Sequence, residues 1–449
     1  MWRDLGGHAD VLDRVEISGE GDLPSVFAVS DLAAAAVASV GAAISELITA
    51  RFGGAPRALV DRRLASLWFG WSLRPLDWTM PSPWDPIAGD YATVDGWIRL
   101  HTNAPHHRDA ALAVLGVPAN KDDVGRMVAS WKAEALETAV IAQGGCAAEM
   151  RSLQAWREHP QGQHVASEPL VARRITEDES KTGEAQSSWA PTAERPLRGL
   201  RVLDLTRVLA GPVATRFLAG FGADVLRIDS PTWDEPAVVP DVTLGKRCAR
   251  LDLRQPAGRA RLSELLRRAD VLVHGYRADA LEALGLGADA RRATRPGLID
   301  VCLDAYGWTG PWRNRRGFDS LVQMSTGIAD AGMRQLGKSR PTPLPVQALD
   351  HGAGYLMAAA VIRGATEREA QRRGFEARVS LARTAELLIR GPAGRVDTSL
   401  SAEELDWAPA IEQSVFGSSQ RLRPPVQVGE TVMHWDRPAA ALGSSPPEW

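Results

Sequence analysis

At 449 residues the chain is long enough for two or three domains with cores of their own, so it needs neither disulfides nor a metal to fold. Hydrophobic residues make up 45% and charged residues 24%, and a net charge of -3 offers no broad cationic face, so nucleic-acid binding is not expected. Cys146, Cys248 and Cys302 are odd in number, far apart and without CxxC spacing, which argues against a disulfide framework or a zinc site and for a reducing, cytoplasmic compartment.

The opening residues, MWRDLGGHADVLDRVE, carry neither the basic stretch nor the apolar core of a secretory signal. The run from Leu32 to Leu47 is mostly alanine and is followed by Arg51. It is too short and too weakly apolar to span a bilayer, so a buried helix and no membrane association are expected. From about Leu64 to Val171 a smaller α+β domain is predicted, with WIRLHTN as a strand and helices around Asp109 to Leu115, Lys121 to Ala142 and Ser152 to His159. Residues 176–196 are polar and charged with no apolar periodicity, as in a solvated linker, and they divide a first region, 1–175, from a larger second one.

Residues 197–390 alternate short apolar runs with helical patterns: LRVLDL, a helix from Pro212 to Gly220, ADVLRI, ARLDL, a helix from Gln255 to Arg268, DVLVHG and LIDVCL. This rhythm predicts βαβ units and an α/β, Rossmann-like, mostly parallel sheet in the larger domain. The tail, 391–449, is rich in Pro, Ser and Gly with scattered Trp and is predicted to be irregular and to lie over other surfaces.

One internal repeat stands out. Val29-Ser30-Asp31 opens an alanine-rich helix, followed by Gly53-Gly54 and an apolar segment at Val60; Ala348-Leu349-Asp350 opens another, followed by Gly374 and Val379. Asp350 stands directly before a helical run, where aspartate ordinarily caps the free backbone NH groups. The following His351-Gly352-Ala353-Gly354 places two glycines at a helix start, which weakens a helix and calls for a reason; close approach of a bulky substrate is one. The positive end of the helix favours the ionised carboxylate that a nucleophile requires.

The pieces PLRGLRVLDLTRVLAGPVATRFLAGFGADVLRID, LGKRCARLDL, ADVLVHGYRADALEALGLG, RPGLIDVCLDAYGWTGP, GFDSLVQMSTGIADAG and QALDHGAGY, with ARVSLARTAELL after them, occur in an order and spacing that resembles the large domain of family III CoA-transferases. The resemblance implies that Asp350 attacks an acyl-CoA thioester, that anhydride and aspartyl-CoA intermediates follow, and that an acceptor carboxylic acid completes the exchange. It implies coenzyme A contacts from Val208, Leu209 and Ala210 and from the His274-Gly275-Tyr276-Arg277 segment. Arg277 is suited to a phosphate. It also implies coenzyme A as part of the substrate rather than a permanently bound cofactor, and an interlocked homodimer. Where many relatives have Asn, this chain has Gly275.

A racemase branch of the family needs a histidine before the aspartate of a GHD motif; here the residues are Gly317-Phe318-Asp319. Phenylalanine cannot act as acid or base, so racemisation is disfavoured and Asp319 is expected to cap a helix beginning at Ser320. The stretches GDYATVDGWIRLHTN and GGCAAEMRSLQAWREHPQG resemble the family's small domain, which normally follows the large one, so the halves are reordered here. Asp31 lacks the His-Gly-Ala-Gly of Asp350 and reads as vestigial. His101, His106 and His107 lack a partnered Cys or carboxylate pattern, so no metal is expected. Two other readings compete. A nicotinamide-binding fold lacks its GxGxxG, with Asp229 alone as a ribose ligand. A catalytically degenerate member would bind only coenzyme A esters or a partner. Fifteen Trp are many for this length; most large aromatics fill cores, and some are available to line an acyl pocket.

Overall fold

The structure, a computed structural model, describes residues 1–176, 188–277, 279–371 and 373–449. Of the expected linker, residues 176 and 188–196 are described and the rest lies outside them. Counting only the main sheet, the strands are β1 (Ala172–Thr176), β2 (Arg201–Leu205), β3 (Asp224–Asp229), β4 (Lys246–Arg250), β5 (Val271–His274), β6 (Ile299–Asp304) and β7 (Gly374–Ser380). Their order is β4-β3-β2-β5-β6-β7-β1, parallel except for β1, which runs antiparallel to β7. The central strands are buried along almost their whole length, which is why they appear in the sequence as continuous apolar runs.

The chain builds from β2 outward to β4, then crosses back to β5 and continues to β7. At such a reversal, crossovers leave toward opposite faces and a crevice opens beyond the carboxyl ends of the two strands. Four helices frame this crevice and its surroundings: α1 (Val29–Phe52), α2 (Ala210–Gly220), α3 (Asp319–Ser325) and α4 (Ala348–Gln371). Helix α2 leads out of the β2 loop, and α4, joining β6 to β7, packs against α1, α2 and the sheet. At 24 residues and mean hydropathy 1.7, α1 is longer than the sequence suggested and apolar enough to cross a membrane, yet most of it is buried inside this fold.

The smaller α+β unit has its own core. An antiparallel sheet of Gly89–Ala92, Trp97–Leu100 and Ala147–Glu149 packs Tyr91, Ile98 and Leu100 against Leu115, Val124, Leu136 and Val140 from three helices. The division at residue 175 falls inside β1, which the sequence placed with the first region. Its backbone completes the main sheet, and Arg174 pairs with Glu376 of β7 at 2.7 Å.

The tail corrects the sequence reading, because it is not irregular throughout. Trp407–Ser414 and Gly417–Leu422 form a hairpin that pairs with Leu73–Pro75, and Val426–Val428 pairs with Ala58–Asp61. Local composition hid them: Gly417–Leu422 and Val426–Val428 pair with strands more than three hundred residues earlier, and Trp407–Ser414 is an edge strand that, among the described residues, pairs with Gly417–Leu422 alone. A buried network fastens the tail beneath α2: Asp241 is held at 2.6 Å by Arg216 and at 3.2 Å by Arg421, and accepts from the Ser72 hydroxyl at 2.5 Å. Burial works against the ionised form of Asp241, but Arg216 and Arg421 outweigh it and hold the carboxyl below its usual range. Cys146, Cys248 and Cys302 are all buried and unpaired.

Candidate active site

The loop after β2 and the segment after β5 lie side by side at the crevice. Their residues Thr206, Arg207, Val208, Gly275 and Arg277 line one wall of a cleft of about 260 Å³. The β2 loop is pinned from below. Asp204 accepts from the Thr206 backbone NH at 2.9 Å and from the Lys246 ammonium at 3.1 Å, and Lys246 also donates to the Pro212 carbonyl at 2.8 Å. Val208 has φ 61°, a left-handed conformation that costs a β-branched residue about 1–2 kcal/mol. Its NH is held there by both oxygens of Glu235 at 3.1 Å. Such strain persists only where the surroundings over-determine it.

Asp350 is the third residue of α4 and is 8% exposed. It does not cap its own helix. That role belongs to Asp319, whose Oδ2 accepts from the backbone NH groups of Leu349 and Asp350 at 2.8 and 2.9 Å, while its Oδ1 accepts from the Gln323 amide. This corrects the expectation that Asp319 caps the helix beginning at Ser320: α3 starts at Asp319 itself, behind Phe318, and the carboxylate reaches across to the neighbouring helix. The two carboxyls are thus close and buried. Burial, then the charge of Asp319, push Asp350 well above the ordinary carboxylate range, and burial also raises Asp319. The sequence expectation that the helix end favours ionised Asp350 is therefore reversed, because desolvation and a like charge outweigh the dipole.

Asp350 faces two compartments of opposite character. On one side is the cleft, where Arg207, Arg277, Arg313, Arg315 and Arg316 gather with His106 and His107. Among the described residues, the carboxylate partners of Arg207 and Arg277 are distant, at 3.9 Å each. Asp304, also in the lining, is pushed well above the ordinary carboxylate range by burial. On the other side is a cavity of about 340 Å³ walled by Phe69, Trp71, Trp84, Leu209, Val346 and Phe318. Val208, Phe318 and Asp350 border both.

Of the residues singled out in the sequence, Val208, Ala210, Arg277 and Asp350 line the cleft, and Leu209 and Asp350 line the cavity. Tyr276 departs from this group: it packs against the core cluster that contains Leu205 and Leu281. Gly275 borders the cleft with nothing within 4 Å of where a Cβ would stand, so packing does not require glycine there. The glycines after Asp350 serve packing and not substrate approach. A Cβ at Gly354 would lie 2.4 Å from the Ala210 carbonyl oxygen, and one at Gly352 would press on Leu32 of α1 at 3.3 Å.

Asp31 is likewise the third residue of its helix, α1, which packs along α4. It is half exposed and bound to Arg62 at 2.6 Å, in a separate depression with Asp22 and Arg395. His101 stacks on Phe318 at 3.8 Å between centroids, and burial brings its pKa down to about 3. Among the described residues, no group of three or more His, Cys, Asp or Glu side chains could hold a metal ion. Sequence reasoning missed the arginines at 313–316, whose run RNRR was a visible signal, and the bond from Asp319 to α4, which left none.

The profile of "CoA-transferase family III" matches residues 197–401. Similar proteins include an acetyl-coenzyme A transferase of Hypoxylon pulicicidum, 33% identical over 45% of this chain and 35% of its own. A probable fatty acyl-CoA transferase of Mycobacterium tuberculosis is 32% identical over 39% of this chain and 48% of its own. A succinate–glutarate CoA-transferase of Agrobacterium fabrum is 35% identical over 31% and 39%. The chain thus spans less than half the length of each. Among solved structures, a CAIB/BAIF family protein from Brucella suis aligns at 25% identity over 50% of this chain and 65% of its own, with a TM-score of 0.39.

Proposed function

Because the chain belongs, through residues 197–401, to CoA-transferase family III, we propose that it moves coenzyme A from an acyl-CoA thioester to a free carboxylic acid, with Asp350 as the nucleophile. The observation that carries this reading is the Asp350 carboxyl, set between an arginine-lined cleft and an apolar cavity. A coenzyme A ester has the same two-sided character, polyanionic at one end and acyl at the other, with the thioester between.

The Asp350 carboxylate adds to the thioester carbonyl, the C–S bond breaks, and coenzyme A leaves as the thiolate, giving a mixed anhydride. The thiolate then attacks the aspartyl carbonyl, expelling the donor's carboxylate and leaving an aspartyl-CoA thioester. The acceptor carboxylate attacks in turn, and the thiolate returns to the acceptor's carbonyl in the new anhydride, which restores Asp350. Arg207, Arg277, Arg313 and Arg316 are placed to hold the phosphates of coenzyme A, which enters with the substrate and is not a resident cofactor. A homodimer is proposed from the family resemblance, and a cytoplasmic setting from the three unpaired thiols.

The test is to mix the protein with an acyl-CoA, denature it rapidly and search its peptides for a coenzyme A adduct. The adduct is expected on Asp350. An Asp350→Asn protein with near-normal transfer would sink the mechanism.

A further inference from the structure

The similar proteins named above differ in their acyl groups, from acetyl to fatty acyl to succinate and glutarate, so the resemblance leaves the acyl group open. Resting on the transferase reading, we infer that the acyl cavity of this protein takes an uncharged, apolar or aromatic acyl chain and rejects one that ends in a second carboxylate. The lining carries the argument. Phe69, Trp71, Trp84, Leu209, Val346 and Phe318 supply rings and branched chains, and among the described residues that line the cavity there is no Lys or Arg.

Its ionisable groups do not help an anion. Asp319 and Asp350 are themselves acids. His101 and His351 stand in the wall, but each is buried against aromatic rings, His101 on Phe318 and His351 on Phe69 at 5.3 Å. Burial draws both imidazoles down to about 3, so they are neutral. Arg99 is not in the lining; its guanidinium lies over the Trp84 ring at 4.8 Å and pairs with Asp90 at 2.7 Å. A carboxylate seated against these rings would exchange water for apolar surface and gain no counter-charge from the wall, a cost that an apolar chain does not meet. The arginines of the site are segregated in the cleft on the other side of Asp350, where the phosphates would lie. With about 340 Å³, the cavity has room for a chain of moderate size.

Binding and turnover separate this inference from the reading it rests on. Binding of two stable thioethers, S-benzyl-CoA and S-(3-carboxypropyl)-CoA, is measured by calorimetry against free coenzyme A. The benzyl compound is expected to bind at least tenfold tighter than the carboxypropyl one and tighter than free coenzyme A. Equal or tighter binding of the carboxylate-ended compound, or no gain from the benzyl group over free coenzyme A, overturns the assignment. In Val346→Arg, which adds a cation to the wall, the preference is expected to shrink at least tenfold; an unchanged ratio would show that the acyl group lies elsewhere. Transfer from a panel of acyl-CoAs to free acids tests the activity itself. Absence of all transfer would end the transferase reading, while the thioether ratio would still decide the nature of the cavity.

Discussion

Asp350 and Asp319 form a buried pair of acids, and their closeness has consequences for both activity and stability. A group whose folded pKa is raised lends stability below its unfolded pKa and loses it as pH rises through the folded value. Asp350→Asn removes that liability along with the proposed nucleophile. The variant is expected to lose transfer by orders of magnitude yet to melt higher than the parent at pH 8, with the difference closing toward pH 5; calorimetry across that range checks it. Asp319→Asn tests the pair from the other side. Asp319 faces Asp350 and Leu349 of α4, Gln323 of its own helix and the more distant Arg99, so its charge is the one that Asp350 feels. Removing it should move the acid limb of the rate–pH profile to lower pH; a loss of rate with an unmoved profile would make the residue structural only. Asp350 was legible in the sequence because its neighbours form a motif. Asp319's role was not, since a side chain that caps a helix thirty residues away leaves no local pattern.

At the scale of elements, the approach of α4 to α2 decides where Asp350 sits. Gly354 makes that approach feasible, because its missing Cβ is the space taken by the Ala210 carbonyl. Gly354→Ala gains about 1 kcal/mol of helix propensity but must displace backbone, and overpacking of this kind costs about 1–3 kcal/mol or more. Net destabilisation of about 1–2 kcal/mol is expected by chemical denaturation, whereas Gly275→Ala, with open space before it, should be close to neutral. The sequence revealed β2, β3, β5 and β6, because strands covered on both faces must be continuously apolar, but it set β4 about three residues late at ARLDL and did not predict β1 or β7 as strands. It revealed the pair of glycines but not their purpose, since a glycine next to a substrate and one next to a helix look alike in a sequence. The tail's strands were hidden for a related reason: an edge strand half exposed to water, such as Trp407–Ser414, carries little apolar signal of its own.

For the whole molecule, reordered halves remain a proposal that rests on where the family-like pieces fall in the sequence, and which surfaces those halves bring together was not legible there. In the structure the cavity draws Phe69, Trp71, Trp84 and His101 from the first region and Leu209, Phe318 and Asp350 from the second, all in one chain. On the transferase reading, both walls around Asp350 thus come from one chain. If Asp350→Asn and a Trp84→Arg protein first shown to be inactive are denatured together and refolded as a mixture, no activity should reappear. Recovery of about a quarter of the parent activity or more would show that sites are shared between chains, as an interlocked dimer would allow.

The burial of Cys146, Cys248 and Cys302 bears on how such experiments can be read. Thiolate is the reactive form of cysteine, and burial pushes all three thiols well above the usual range. The folded protein should thus be silent toward a chromogenic aromatic disulfide. Colour appearing when an acyl-CoA is added would then report coenzyme A lost to water, and a covalent intermediate that leaks by hydrolysis could be followed continuously against a blank background.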